Sequence, residues 1–182
     1  SVVAQARVLQ IEHFTVRGNR QVSTGAVLTM LGNMRGQSIL WSDLGSWRRR
    51  LLASPWVGDA ALRRVLPSTI EVTIQERQPI GIARIGGGLY LIDEHGAVID
   101  EFGPLYADFD LPIVDGLQGT RTDRDESTDR GGAELAARLI LSVRSDPDVN
   151  ERVSQVNVSD PRNAGVILRG DPAVIYVGND RL

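Results

Sequence analysis

The sequence predicts an α+β chain made of two consecutive parts, each a sheet with helical cover. Three observations carry this. Residues 70–75 alternate strictly, with Ile70, Val72 and Ile74 on one side and Glu71, Thr73 and Gln75 on the other, which is the period-2 pattern of a half-buried strand. Two stretches with apolar residues at helical spacing, 24–31 and 43–53, come before it. After residue 79, short extended runs separated by Gly, Asp and Pro turns surround one main helical stretch.

The first part reads in order as strand, helix, helix, strand, strand. Residues 8–16 (VLQIEHFTV) form a strand closed by Gly18-Asn19, a pair that tolerates positive φ. Ser23 is the expected N-cap of a helix over 24–31, with Val27, Leu28 and Leu31 on its apolar stripe and Gly32-Asn33 at its end. Asp43 or Ser42 caps a second helix through Ala53, with Leu44, Trp47, Leu51 and Leu52 apolar, and Pro55 stops it. Val57 to Val65 then pairs with the alternating strand around Leu66-Pro67-Ser68-Thr69, because proline pre-sets the turn and cannot donate into a ladder. Two helices therefore cover one face of a small three-stranded sheet.

The second part is β-rich. Strands are expected over 80–85, 89–93 and 97–100, with turns at Gly86-Gly87-Gly88 and around Glu94-His95-Gly96. Residues 101–112 are irregular, and Ile113-Val114 is a brief strand before Asp115-Gly116. Residues 119–132 are polar and glycine-flanked, with no apolar anchor, and read as an exposed loop. A helix over 133–145 places Leu135, Leu139, Ile140 and Val143 on one stripe, and Asp146-Pro147 ends it. Strands over 153–159, 166–169 and 174–177 complete a mostly antiparallel sheet. The expected domain limits are 8–78 and 79–182.

Composition narrows the function classes. A length of 182 residues with 42% hydrophobic content supports one or two small cores, and a net charge of −3 argues against a nucleic-acid surface. All 20 basic residues are arginine, and the lack of cysteine removes disulfides, thiolate metal sites and cysteine nucleophiles. His95 beside Asp93 and Glu94 falls in a tight turn whose side chains diverge, so it reads as a solvated hairpin tip rather than a metal site. His13 reads as a partly exposed structural histidine. Asp123, Asp125 and Asp129 lack the glycine and terminal glutamate of a calcium loop, and Arg121, Arg124 and Arg130 lie among them. The Gly86-Gly87-Gly88 run opens onto a strand, whereas phosphate cradles open onto a helix. The expectation is a non-enzymatic chain with no catalytic residue, cofactor or metal. The opposing enzyme reading is a metal- or carboxylate-dependent hydrolase.

A small sheet covered on one face leaves strand edges open to a partner strand. On the 57–65 strand, Asp59, Leu62 and Arg64 border one such surface, and Arg63-Arg64 equally suit edge protection, so both readings stand. Glu76 and Arg77 flank Pro79, where the chain turns into the second part, and suit structural anchoring at that junction. Strand 174–177 is a second candidate edge.

The ordered set Val16-Arg17-Gly18-Asn19, Val22-Ser23, Gly36, Ser38-Ile39, Asp43-Leu44, Pro55-Trp56-Val57, Arg64, Leu66-Pro67 and Glu76-Arg77-x-Pro79 resembles the POTRA domain of the bacterial cell-division family FtsQ/DivIB. Leu91-Ile92-Asp93, Gly96, Val98-Ile99 and residues 158–163 resemble that family's following β domain. The resemblance implies a single-pass protein of the inner membrane whose extracytoplasmic region acts at the division septum. It also implies contacts with FtsB, FtsL and the septal peptidoglycan synthesis machinery, and a non-catalytic scaffolding role. Family members carry a transmembrane helix before this region and further elements after it, so the sequence reads as an extracytoplasmic piece cut short at both ends. The alternative is a POTRA module of an outer-membrane assembly or secretion protein. Such modules come in tandem, and here the second half does not repeat the first.

Overall fold

The computed structural model describes residues 9–117, 121–122, 125–126, 130–171 and 173–178. Its contacts separate the chain into two compact units, Ser1–Arg77 and Gln78–Leu182.

The first unit contains β1 (His13–Arg17), α1 (Thr24–Met30), α2 (Leu44–Leu52), β2 (Val57–Val65) and β3 (Thr69–Glu76). The sheet order is β1-β3-β2, with β3 parallel to β1 and antiparallel to β2. Ile70, Val72 and Ile74 are buried, as the alternation requires. The register lines Phe14, Ile70 and Arg64 across one row and Val16, Val72 and Leu62 across the next. Val27, Leu31, Trp47 and Leu51 complete the core from the helices. Ser23 caps α1 by accepting from Ala26 N, and Asp43 caps α2 by accepting from Gly45 N and Ser46 N. Gly18 is obligatory on two counts: its φ is +83°, and an added Cβ would lie 2.0 Å from the Ile74 carbonyl oxygen.

The first strand starts later than its apolar pattern suggests. Residues 9–11 pair with the loop before α2 rather than with the sheet: Gln10 bridges Ser38, Ile11 N donates to Gln37 O at 2.9 Å, and Gly36 N donates to Ile11 O at 2.8 Å. Ile11 is fully buried there, so the same apolar signal serves a different partner.

The second unit is a seven-stranded sheet of order β12-β11-β10-β7-β4-β5-β6. Its strands are β4 (Gly81–Ile85), β5 (Gly88–Ile92), β6 (Val98–Glu101), β7 (Ile113–Asp115), β10 (Val153–Asn157), β11 (Asn163–Leu168) and β12 (Val174–Gly178). A separate two-stranded ribbon pairs β8 (Arg121–Thr122) with β9 (Asp125–Glu126). Most pairs are antiparallel, but β7 runs parallel to both β4 and β10. A parallel step needs a crossover, and α3 (Arg130–Arg144) supplies it between β7 and β10. Ala136, Leu139 and Ile140 of α3 pack into the core with Ala83, Ile92, Val114 and Val156.

Helix α3 begins at Arg130, earlier than the expected 133, with Gly131 and Gly132 inside its first turn. An added Cβ on Gly96 (φ +74°) would sit 2.6 Å from the Ala133 Cβ, so the β5–β6 turn and this first helical turn are in close approach. Asp146-Pro147, read from sequence as a stop, also starts a new helix, α4 (Pro147–Asn150): Asp146 accepts from Asp148 N and Val149 N, and proline sits at the first helical position. The expected loop over 119–132 lies partly outside the described residues, as do Asp123, Arg124 and Asp129.

Candidate interaction surfaces

Strand β2 is one edge of the first sheet, and the structure puts Asp59, Leu62 and Arg64 there. Side chains occupy this edge at its centre. Arg48 of α2 donates from Nε to the Ala60 carbonyl at 2.8 Å and from its guanidinium to Asp59 Oδ1 at 2.6 Å. That same Asp59 oxygen accepts from Ala60 N at 2.8 Å. Both backbone groups of Ala60 are thus satisfied before any partner arrives. The hydrogen bond from Arg48, then that from Ala60, holds the Asp59 carboxyl below its ordinary range.

Arg64 is engaged as well. It donates to Ile39 O and Ser42 O, each at 2.6 Å, and clamps the loop before α2 onto the end of β2. Leu62 is half-buried between the two arginine contacts. The three residues share one strand, but Asp59 and Arg64 face inward commitments of their own unit. On the solvent face, Arg63 pairs with Glu71, which also lies 3.6 Å from Arg17, and the Arg63 bond lowers the Glu71 pKa. Arg48 was not legible as a partner of Asp59, because a separation of 11 residues matches no local period.

Glu76 closes the first unit. Its carboxylate accepts three backbone N–H bonds, from Arg20 and Val22 at 2.8 Å and from Gln21 at 3.0 Å. The turn after Gly18 is therefore held by a side chain more than fifty residues away. Arg77 continues the closure through its N–H to Trp56 O at 2.9 Å. Pro79 follows, half-buried, just before β4.

Strand β12 differs from β2. It pairs with β11 from Asn163–Gly178 to Ile167–Val174, and among the described residues no strand lies on its other side. Val174 is 38%, Ile175 49% and Tyr176 63% exposed. Val174 and Tyr176 lie over Gly165, where an added Cβ would come within 2.6 Å of Val174, while Ile175 stands opposite the buried Val166. Apolar side chains on both faces are the pattern of an interior strand.

The turn at Asp93 corrects the expectation of a wholly solvated tip. Glu94 and His95 are exposed, but Asp93 is 2% exposed and accepts from His95 N and Ala97 N, each at 2.9 Å. Its carboxylate organises the turn from inside. Among the described residues no group of three or more His, Asp or Glu side chains is placed to hold a metal. A cleft of about 140 Å³ in the second unit is lined by Arg144, Glu151 and Arg169, and Arg169 is already paired with Asp110 at 2.8 Å.

A β-α-α-β-β module with two helices on a three-stranded sheet, followed by a larger mixed sheet, is the architecture of a POTRA-containing chain. Comparison with known proteins agrees: residues 9–77 match the family described as POTRA domain, FtsQ-type. The chain is 26% identical over 172 residues to the cell division protein FtsQ of Koribacter versatilis, covering 94% of this chain and 49% of that protein. It is 26% identical over 177 residues to the cell division protein FtsQ of an Anaeromyxobacter species, covering 96% and 59%. A 40% identical match to the cell division protein FtsQ of Agrobacterium fabrum covers 89 residues, 49% of this chain and 28% of the relative. The chain thus carries an FtsQ-type POTRA domain and is similar to cell-division proteins FtsQ along most of its length, while it spans about half the length of those relatives. Among the described residues, no helix is long and apolar enough to cross a membrane.

Proposed function

We propose that this chain is the extracytoplasmic part of a non-catalytic divisome scaffold, tethered to the inner membrane, that links and recruits division proteins at the septum. The observation that carries the reading is β12, an edge strand with exposed apolar residues on both faces. A partner strand added there gains main-chain hydrogen bonds, while Ile175 and Tyr176 offer side-chain contacts on alternate faces. FtsB and FtsL are the proposed partners, and the septal peptidoglycan synthesis machinery is the proposed downstream beneficiary. The centre of β2 is the weaker docking surface, since Arg48 and Asp59 already occupy it. Glu76 and Arg77 serve the integrity of the first unit, and Pro79 starts the passage into the second.

The test is localisation of the complete open reading frame, tagged on its cytoplasmic side, combined with co-purification from dividing cells. The expected result is a band at the division site before constriction, with FtsB and FtsL co-purifying. Tyr176→Asp should keep the fold and lose the partners. An even peripheral signal throughout division, or partner capture indifferent to Tyr176, would overturn the reading.

A further inference from the structure

Two turns at one end of the first unit hold out a set of apolar side chains that its core does not use. Trp41 is 87%, Leu66 61%, Leu40 44% and Val65 39% exposed. Arg64 fastens the two turns together: it follows β2 toward Val65 and Leu66, and donates to Ile39 O and Ser42 O on either side of Leu40-Trp41. Ile39 and Ser42 are themselves buried, and Asp43 caps α2 immediately afterwards. The Leu40-Trp41 pair is therefore presented on a fixed backbone, with Ile39 and Ser42 anchored inward on either side.

The patch sits on two protruding turns, without the concave walls of a ligand pocket. It is not a strand edge either: Leu40, Trp41 and Leu66 lie outside the strands, and Val65 is the last paired residue of β2, opposite Thr69. The first described residue also lies here: Ile39 N donates to Leu9 O at 2.8 Å, next to the turn that carries Trp41. An exposed tryptophan flanked by leucine suits the headgroup region of a bilayer, where an amphipathic ring finds apolar and polar partners at once.

We propose that Trp41, Leu40, Leu66 and Val65, with Arg64 behind them, form a lipid-docking tip that rests in the interface of the membrane to which the chain is tethered. The proposal builds on the membrane-tethered reading above. It fixes the orientation of the first unit by partial insertion and does not require anionic lipid, because apolar side chains supply the contact.

Tryptophan emission tests it, since Trp47 and Trp56 are 5% and 9% exposed and Trp41 alone of the three is solvent-facing. The 182-residue chain with an N-terminal histidine tag is held on phosphatidylethanolamine–phosphatidylglycerol vesicles bearing a nickel-chelating lipid. Expected results are a blue shift on tethering and quenching by lipids brominated near the headgroup. Trp41→Ser combined with Leu66→Ser should abolish both, and without the tether should lower vesicle partitioning about tenfold. The melting temperature should stay unchanged, since both side chains are exposed. Unquenched emission on tethered vesicles overturns the proposal, as does a blue shift that requires an added protein. Localisation of the full reading frame at the septum without quenching would sink this inference and leave the scaffold standing. Quenching without septal localisation would do the reverse.

Discussion

Strands β2 and β12 are both sheet edges, and they treat the edge problem in opposite ways. At β2, Arg48 and Asp59 consume the N–H and C=O of Ala60, and Arg63 and Arg64 place charge along the same strand. At β12, three successive exposed residues are Val174, Ile175 and Tyr176. An edge closed by its own side chains is protected from stray pairing, whereas one that keeps apolar faces is built to be covered. An open edge in a list of strands is thus a poor guide to docking. The side chains that reach the backbone groups decide it.

The contrast can be broken at its strongest point first. Replacing Ile175 and Tyr176 by aspartate should weaken partner capture by at least about tenfold, read as a dissociation constant with purified FtsB and FtsL periplasmic segments. The same pair of changes at Ala61 and Arg63 on β2 should leave it nearly unchanged. Equal losses at both edges would erase the distinction.

Glu76→Ala comes next. Three backbone N–H groups lose a charged acceptor, so the first unit should lose about 2–3 kcal/mol in urea unfolding, while the partner binding proposed for β12 should be unchanged. Arg48→Ala is milder, about 1 kcal/mol for the lost bond to the Ala60 carbonyl. Its more telling effect is a newly open edge: sedimentation should show concentration-dependent self-association that the parent chain lacks. A strictly unchanged sedimentation profile would mean that Arg48 does not guard the strand.

The smallest effect is on pH. Asp59 and Glu71 both have folded-state pKa values below their ordinary 3.8 and 4.5, chiefly through hydrogen bonds to Arg48 and Arg63. A lowered folded-state pKa gives stabilisation that is complete above the unfolded value and disappears as pH falls through the folded one. The urea midpoint should therefore change little between about pH 7 and 5 on account of these groups and fall below about pH 4. Asp59 is exposed and the arginine partners of both carboxylates reach into solvent, so the slope should be shallow and further reduced by salt. Arg48→Ala should remove the Asp59 share of it.

Much of this protein was determined locally. Alternation at 70–75 placed Ile70, Val72 and Ile74 in the core, Ser23 and Asp43 capped their helices, and Gly18 marked its turn, because each depends on residues a few positions apart. The family resemblance rested on the same short-range signals in a fixed order. The tertiary structure decided what depends on distant partners. It moved the start of β1 by pairing Ile11 with Gln37, brought the Gly96 turn against Ala133 of α3, and set β7 parallel to both neighbours. It also buried Asp93, joined Arg48 to Ala60, and left Leu40 and Trp41 exposed between the buried Ile39 and Ser42. The physical reason is the same in each case: a backbone group or apolar side chain is satisfied by whatever the fold brings within bonding distance, and spacing along the chain does not encode that approach.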